Sequence, residues 1–182
     1  MSWKKVELRV LRWFGTERLG SVGAHGPDGL TDTLSIEIKH RSSLPKWFLS
    51  AYEQPQPTNG QIPVTILTLK DNGQRLALTE IDSLLGMLER AGLAQVDKDS
   101  RTASEELAIA EIERPRLPAW MAEGVAQAIH GAEGHRLPIA VFHLKGKHSY
   151  QTAMPLADFV FLLQVGGIQC PDIKEPLHFP RI

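Results

Sequence analysis

A single cysteine, Cys170, is all the chain contains, so no internal disulfide can form and no Cys-x-x-Cys pair exists to hold zinc. Cys170 reads as a small buried side chain rather than a reactive thiol. Long apolar runs are also missing. Stretches such as Pro138 to Leu144 are far too short to span a membrane. No excess of one charge exists either: 20 Lys and Arg stand against 21 Asp and Glu, for a net charge of -1. A nucleic-acid binder of this composition must therefore rely on local basic patches rather than a global field. The opening Met-Ser-Trp-Lys-Lys is basic, but a polar, charged helical pattern follows it in place of an apolar signal core, which points to the cytoplasm. What is present is the composition of a folded globular protein, 42% hydrophobic and 23% charged over 182 residues. That length suits one ordinary domain or two very small ones.

Apolar residues Trp3, Val6, Val10, Trp13 and Phe14 recur near helical spacing, which predicts an amphipathic helix over 2–14 that ends at Gly15. Residues 20–33, rich in Gly, Ser, Thr and Asp, read as short strands joined by turns. The alternating run Leu34-Ser-Ile-Glu-Ile-Lys-His is a strand. A helix follows from Leu44 or Pro45, capped by Ser42 or Ser43, and ends before Pro55. After a turn at Asn59-Gly60 come strands over 63–69 and 75–78 and a helix capped by Thr79 that runs to about Ala91. The pattern then recurs: a strand from Leu107, a helix opened by Leu117-Pro-Ala-Trp, strands over 138–144 and 150–154, and a helix from Pro155 through Leu163. Leu44-Pro45-x-Trp47 is repeated as Leu117-Pro118-x-Trp120, Glu37-Ile38 as Glu111-Ile112, and Ile62-Pro63-Val64 as Leu137-Pro138-Ile139. Gln54 and Gln127 each lie seven residues after the tryptophan of their stretch. Asp82 and Asp158 fall in the closing helices. Matches in one order imply an internal duplication over roughly 34–90 and 108–166. The stretch from Gln95 to Glu106 reads as a linker.

Asp28 precedes Glu37-Ile38-Lys39 by nine residues. Glu37 and Lys39 share one face of a strand, because side chains alternate with period two, and a hairpin would bring Asp28 beside them. Two neighbouring carboxylates repel each other, which favours a hard divalent cation between them. Mg²⁺ accepts one or two carboxylates, water and a substrate phosphate, and the lysine ammonium can orient water or stabilise charge on that phosphate. Asp32 competes with Asp28 for the ligand role, being nearer to Glu37 in sequence.

The order helix with a glutamate, Gly-rich β region with Pro27-Asp28, Glu-x-Lys strand, helix and strand resembles the PD-(D/E)XK nucleases. More narrowly, the run from Ser35 through Leu44-Pro-Lys-Trp, the helix ending near Glu53-Gln54, the run from Ile62 and the opening Trp3-Lys-Lys-Val-Glu-Leu-Arg resemble the archaeal and phage Holliday junction resolvase-like branch. The resemblance covers about residues 3–88, with a weaker match over 108–166. It implies an α/β fold with a restriction-endonuclease-like mixed central sheet flanked by helices, followed by a second, partial and degenerate repeat of the core. The chain then divides into a nuclease-like unit over 1–92, a linker over 93–107, the degenerate repeat over 108–166 and a tail over 167–182. Asp28 and Glu37 become metal ligands with the carbonyl of Ile38 as a third contact, and Lys39 becomes the catalytic lysine. Glu7 matches the helical glutamate that binds a metal or its water, and Gln54 a glutamine that supports the site.

The resemblance further implies a Mg²⁺-dependent endodeoxyribonuclease, with Mn²⁺ as a substitute, acting on branched or four-way DNA in recombination or repair. A prokaryotic or phage origin would place it in the host cytoplasm. Two other readings stay open: a nicking or repair nuclease of the same fold, and a non-catalytic DNA-binding or assembly protein that retains it. In the second stretch Glu113 falls where the lysine is expected, so that copy is read as inactive. It could act as an intramolecular pseudo-dimer partner or form the interface of a homodimer. Phosphate contacts are expected from Lys4, Lys5, Arg9, Arg12, Arg18, His40, Arg41 and Lys46. His143, Lys145, Lys147 and His148 form a smaller basic turn without the spacing of a zinc site. Trp47 and Trp120, both in Leu-Pro-x-Trp, are expected to pack rather than stack on bases.

Overall fold

The structure, a computed structural model, describes residues 2–19, 26–58, 60–94 and 106–169. Asn59 of the expected turn, most of the expected linker, Cys170 and the rest of the tail lie outside them. The architecture is α/β. Helix α1 (Trp3–Trp13) leads to a two-residue strand β1 (Gly29–Leu30) and to β2 (Leu34–Arg41). Then follow α2 (Lys46–Ala51), β3 (Ile62–Leu69), β4 (Arg75–Glu80) and α3 (Ile81–Arg90). The second stretch supplies β5 (Leu107–Arg114), α4 (Ala119–Ala132), β6 (Leu137–Leu144), β7 (Tyr150–Pro155) and α5 (Leu156–Val165). Among the described residues no helix is long and apolar enough to cross a membrane.

All the strands join one mixed sheet in the order β1-β2-β6-β7-β4-β3-β5. β2 runs parallel to β6, with Leu34 opposite Leu137, and β5 runs parallel to β3, with Leu107 opposite Ile62. The hairpins β3–β4 and β6–β7 meet through the antiparallel pair β4–β7. Strands from the two stretches are therefore interleaved in a nearly symmetric order about that central pair. β2 does not pair with the strand that follows its own helix.

Alternation along the strands makes two apolar layers. Ile36 and Ile38 face one layer, with Val6, Val10 and Leu11 of α1, Leu84 and Leu88 of α3, and Phe159 and Leu163 of α5. On the other face Leu44, Phe48, Leu117, Met121 and Val125 pack on Leu67, Leu78, Ala140 and Phe142. Phe142 meets Phe48 and Trp120 edge-on, at 5.3 and 5.7 Å between ring centres. Trp120 and Trp47 each carry a guanidinium over the ring, from Arg41 at 5.1 Å and Arg114 at 5.3 Å.

Two element starts differ from the sequence pattern. Pro45, rather than Ser42 or Ser43, occupies the N-cap of α2, and no side chain caps that helix. Thr79 belongs to β4 rather than capping α3: its hydroxyl donates to the Pro63 carbonyl at 3.0 Å, and its own carbonyl accepts from Thr152 at 2.7 Å. Tertiary partners on neighbouring strands thus outcompete the local capping bond.

Helix α4 lies against β2 and β6 along a stripe of small residues, Gly124, Ala128 and Gly131. Ser35 Oγ donates to the Ala128 carbonyl at 2.8 Å across this contact. A Cβ on Gly131 would stand 2.4 Å from Pro27 Cγ and 2.6 Å from Ser35 Oγ, whereas one on Gly124 would meet the Lys39 chain at 3.0 and 3.2 Å and Phe142 Cε1 at an ordinary 3.6 Å. Both glycines gain about 1 kcal/mol of helix propensity as alanine, so the difference between them reports packing. Gly131→Ala is expected to lower stability relative to Gly124→Ala by about 1–3 kcal/mol. Urea denaturation measures this directly, and equal midpoints for the two variants would contradict the packing described.

Candidate active site

β1 pairs antiparallel with β2, with Gly29 opposite Ile36, so Asp28 follows one step beyond the ladder, level with Glu37. The close seat of this segment needs glycine: a Cβ on Gly29 would lie 2.4 Å from Leu11 Cδ2. Past that ladder the outer side of β2 has no strand partner among the described residues, and Asp28 Oδ2 accepts the Ile38 amide at 2.7 Å. The N–H and C=O of one strand residue point to the same side, so the Ile38 carbonyl also faces the side on which Asp28 lies. Asp32 is exposed in the turn between β1 and β2.

Glu37 and Lys39 project on the face covered by α4. Lys39 Nζ lies 2.9 Å from Glu37 Oε1 and donates to Gln127 Oε1 at 2.6 Å, with Glu123 Oε1 4.0 Å away. Gln127 therefore takes the supporting place assigned to Gln54. Gln54 lies exposed in the turn after α2, and no hydrogen bond joins it to Asp28, Glu37 or Lys39. The pairing of β2 with β6 explains the exchange, because it seats α4, not α2, over the Glu-x-Lys strand.

Glu7 is fully buried on α1, and Arg18 pairs with its Oε1. Its other oxygen, Oε2, is buried with no hydrogen-bond partner, and so is Glu37 Oε2. Buried unpartnered carboxylate oxygens are costly and rare, so they mark a place for a cation, a proton or water. Among the described residues no three His, Cys, Asp or Glu side chains converge as a metal-holding group. What the chain assembles is a carboxylate pair, Asp28 and Glu37, with Glu7 near enough to influence Asp28 by its charge.

That pair holds protons tightly. Burial raises Asp28 to about 6, with the Ile38 amide opposing and Glu7 adding to the rise. Burial, and then the Asp28 charge, raises Glu37 to about 7 against the pull of Lys39. Asp158 on α5 also rises to about 6, but from burial alone, so the raised value by itself does not distinguish a site. The mutual repulsion of Asp28 and Glu37 does, because a divalent cation relieves it directly.

The expected DNA-contacting residues disperse. Lys4, Lys5, Arg12, Arg41 and Lys46 are exposed, Arg18 is engaged by Glu7, and Arg9 and His40 line a cleft on the opposite face of β2. Glu113 does not occupy the place of Lys39. The matching registers of β2–β6 and β5–β3 set Ala110 and Ile112 at the places of Glu37 and Lys39. Glu111 and Glu113 fall one residue out of step, which turns them to the other face. There Glu113 pairs with Lys70 at 2.7 Å and Glu111 with Arg75 at 3.9 Å. The offset of 73 residues between the two Leu-Pro-x-Trp runs carries the signal for this register; the Glu-Ile match, at 74, does not.

No protein-family model, curated protein or solved structure matches the chain. Geometry and chemistry alone carry the functional argument.

The protonation of this pair has a measurable sign. Asp28 and Glu37 bind protons more tightly folded than unfolded, so between about pH 4 and 7 their contribution to stability falls as pH rises. His40 and His143 have lowered proton affinities and act in the opposite sense, so the comparison must be with a variant. Metal-free Glu37→Gln is expected to gain roughly 1–2 kcal/mol relative to the parent between pH 5 and pH 8, after allowance for solvent screening. Denaturation midpoints at the two pH values in EDTA measure it. A constant difference would show that Glu37 is not strained by its neighbours.

Proposed function

We propose that the chain is a metal-dependent DNA endonuclease of the PD-(D/E)XK kind, nearest to the Holliday junction resolvase-like branch, with Mg²⁺ or Mn²⁺ as its cofactor. One observation carries the reading: an Asp28 anchored on the Ile38 amide, level with a buried Glu37 that holds the Lys39 ammonium with one oxygen and leaves the other free. In this reading the sheet is restriction-endonuclease-like, and residues 108–166 are a degenerate copy of the core, with Ala110 and Ile112 at the decisive places. The near-symmetric strand order supports the duplication.

The donor set fits a hard cation. Asp28, Glu37 and the Ile38 carbonyl would hold it, and Glu7 Oε2 would bind it or its water. Bound Mg²⁺ supplies Lewis acidity toward a phosphoryl oxygen and lowers the pKa of its water. The remaining work falls to the chain. Glu37 and Gln127 fix the Lys39 ammonium from two sides, so it can donate to a phosphate oxygen as negative charge builds there. Gln127 Oε1 is a neutral acceptor, and therefore orients the ammonium without cancelling its charge. Helix α4 covers the site's face of the sheet and limits water at the lysine. A chain of this kind holds one catalytic constellation, so paired symmetric nicks across a four-way junction require two chains.

Purified protein with four-way junction, duplex or single-stranded DNA and Mg²⁺ is expected to cleave, and EDTA to stop it. Lys39→Ala should remove activity by a factor of about 10²–10³, as for loss of a charge stabiliser in a transition state. Gln127→Ala should reduce kcat by about tenfold, and Gln54→Ala should leave it unchanged. Cleavage indifferent to Lys39→Ala would sink the site. Absence of cleavage on every substrate would favour a non-catalytic DNA-binding protein.

A further inference from the structure

Behind the Glu37 face, the opposite side of β2 opens into a cleft of about 220 Å³ between α1 and the β6–β7 turn. Its charged and titratable walls are Arg9, His40, His143, Lys145, Lys147, His148 and Tyr150, and among the described residues no carboxylate lines it. The arrangement is built rather than loose. His143 is buried, its ring lies 4.4 Å from that of Tyr150, and its Nδ1 meets His40 Nδ1 at 2.6 Å. Its Nε2 donates to the Lys147 carbonyl at 2.9 Å, since that oxygen can only accept. This bond ties the exposed turn to the cleft wall, so Lys145 and Lys147 flank it from one side and Arg9 from α1 flanks it from another.

Cations gathered without a counter-charge repel one another, and the histidines register it. His143 is disfavoured as a cation by burial and, among charges, by Arg9 and His148, while its bond to the Lys147 carbonyl opposes them. An anion in the cleft reverses every one of these repulsions. A phosphate offers several strong acceptors and matches a guanidinium and two ammonium groups. His40 directly follows Lys39 on β2 and faces the other side of the sheet, so a strand that reaches both the cleft and the lysine passes around the end of β2.

We propose that this cleft binds a phosphate group and, resting on the nuclease reading, that the phosphate belongs to the DNA strand flanking the scissile bond. The two parts are tested separately with the full chain and with Lys145→Gln/Lys147→Gln, whose changes lie on an exposed turn. Titration with inorganic phosphate, followed by NMR, is expected to give saturable shifts at His40, His143 and Gly146 that the double variant loses. No saturable shift overturns the site. In EDTA, where no cleavage interferes, the variant is expected to bind duplex or junction DNA about tenfold more weakly. The plot of log K against log salt should be shallower by about 1–2. Phosphate binding with an unchanged salt slope overturns the DNA assignment and leaves free phosphate as the ligand. The phosphate titration needs no activity: a chain that cuts nothing yet binds phosphate here refutes the nuclease reading and leaves the anion site standing.

Discussion

The close seat of α4 on β2 is the contact on which both the sheet and the candidate site depend. Gly124, Ala128 and Gly131 remove the side chains that would hold a helix off a strand, and the Ser35 hydroxyl bonds directly to the helix backbone. That approach brings Gln127 within hydrogen-bond reach of Lys39 and presses Gly131 onto Pro27, one residue from Asp28. Only α4 carries this stripe. Helix α2 is six residues long and presents Phe48 to its face, so it cannot lie as close. The pairing of β2 with β6 therefore follows from which helix can cover Glu37 and Lys39.

Burying two carboxylates and an ammonium in one place has a cost that Coulomb attraction repays only with good geometry. Here the repayment is incomplete. Lys39 meets one oxygen of Glu37, Arg18 one oxygen of Glu7, and the Ile38 amide one oxygen of Asp28, while Glu7 Oε2 and Glu37 Oε2 stay unpartnered. A merely structural ion-pair network would be expected to satisfy those atoms, because each buried orphan is destabilising. The imbalance leaves two carboxylate oxygens that a proton, a water or, on the proposed reading, a cation would satisfy.

Element types were legible in the sequence because alternation and helical spacing are local. The Glu-x-Lys strand, the Leu-Pro-x-Trp helix starts and the hairpins appear where those patterns set them. Pairing was not legible, because β3 and β6 both carry Pro-containing apolar runs and offer β2 a similar partner surface. The supporting glutamine was misplaced for that reason: Gln54 and Gln127 have equal standing in the sequence, and only the glycine stripe beside Gln127 separates them. The register of β5 was a different failure. Glu111-Ile112 looked like Glu37-Ile38, yet the helix that follows each strand fixes the spacing at 73 residues, and Ala110 and Ile112 fall into the decisive places.

Ala110 and Ile112, which the strand registers set at the places matching Glu37 and Lys39, bear on the fold's energetics. Two buried carboxylate-lysine constellations in one sheet would double the desolvation cost without doubling the core. With apolar residues at the second place, Ile112 joins the layer of Phe48, Leu67 and Leu117 and adds apolar burial where the first site spends charge. The glutamates that remain on β5 turn outward and pair with Lys70 and Arg75, which also charges an exposed edge strand against unwanted pairing. The second stretch thus does three things for the first. It covers the lysine with α4, supplies Gln127, and provides a strand whose burial offsets part of the strain at Asp28 and Glu37.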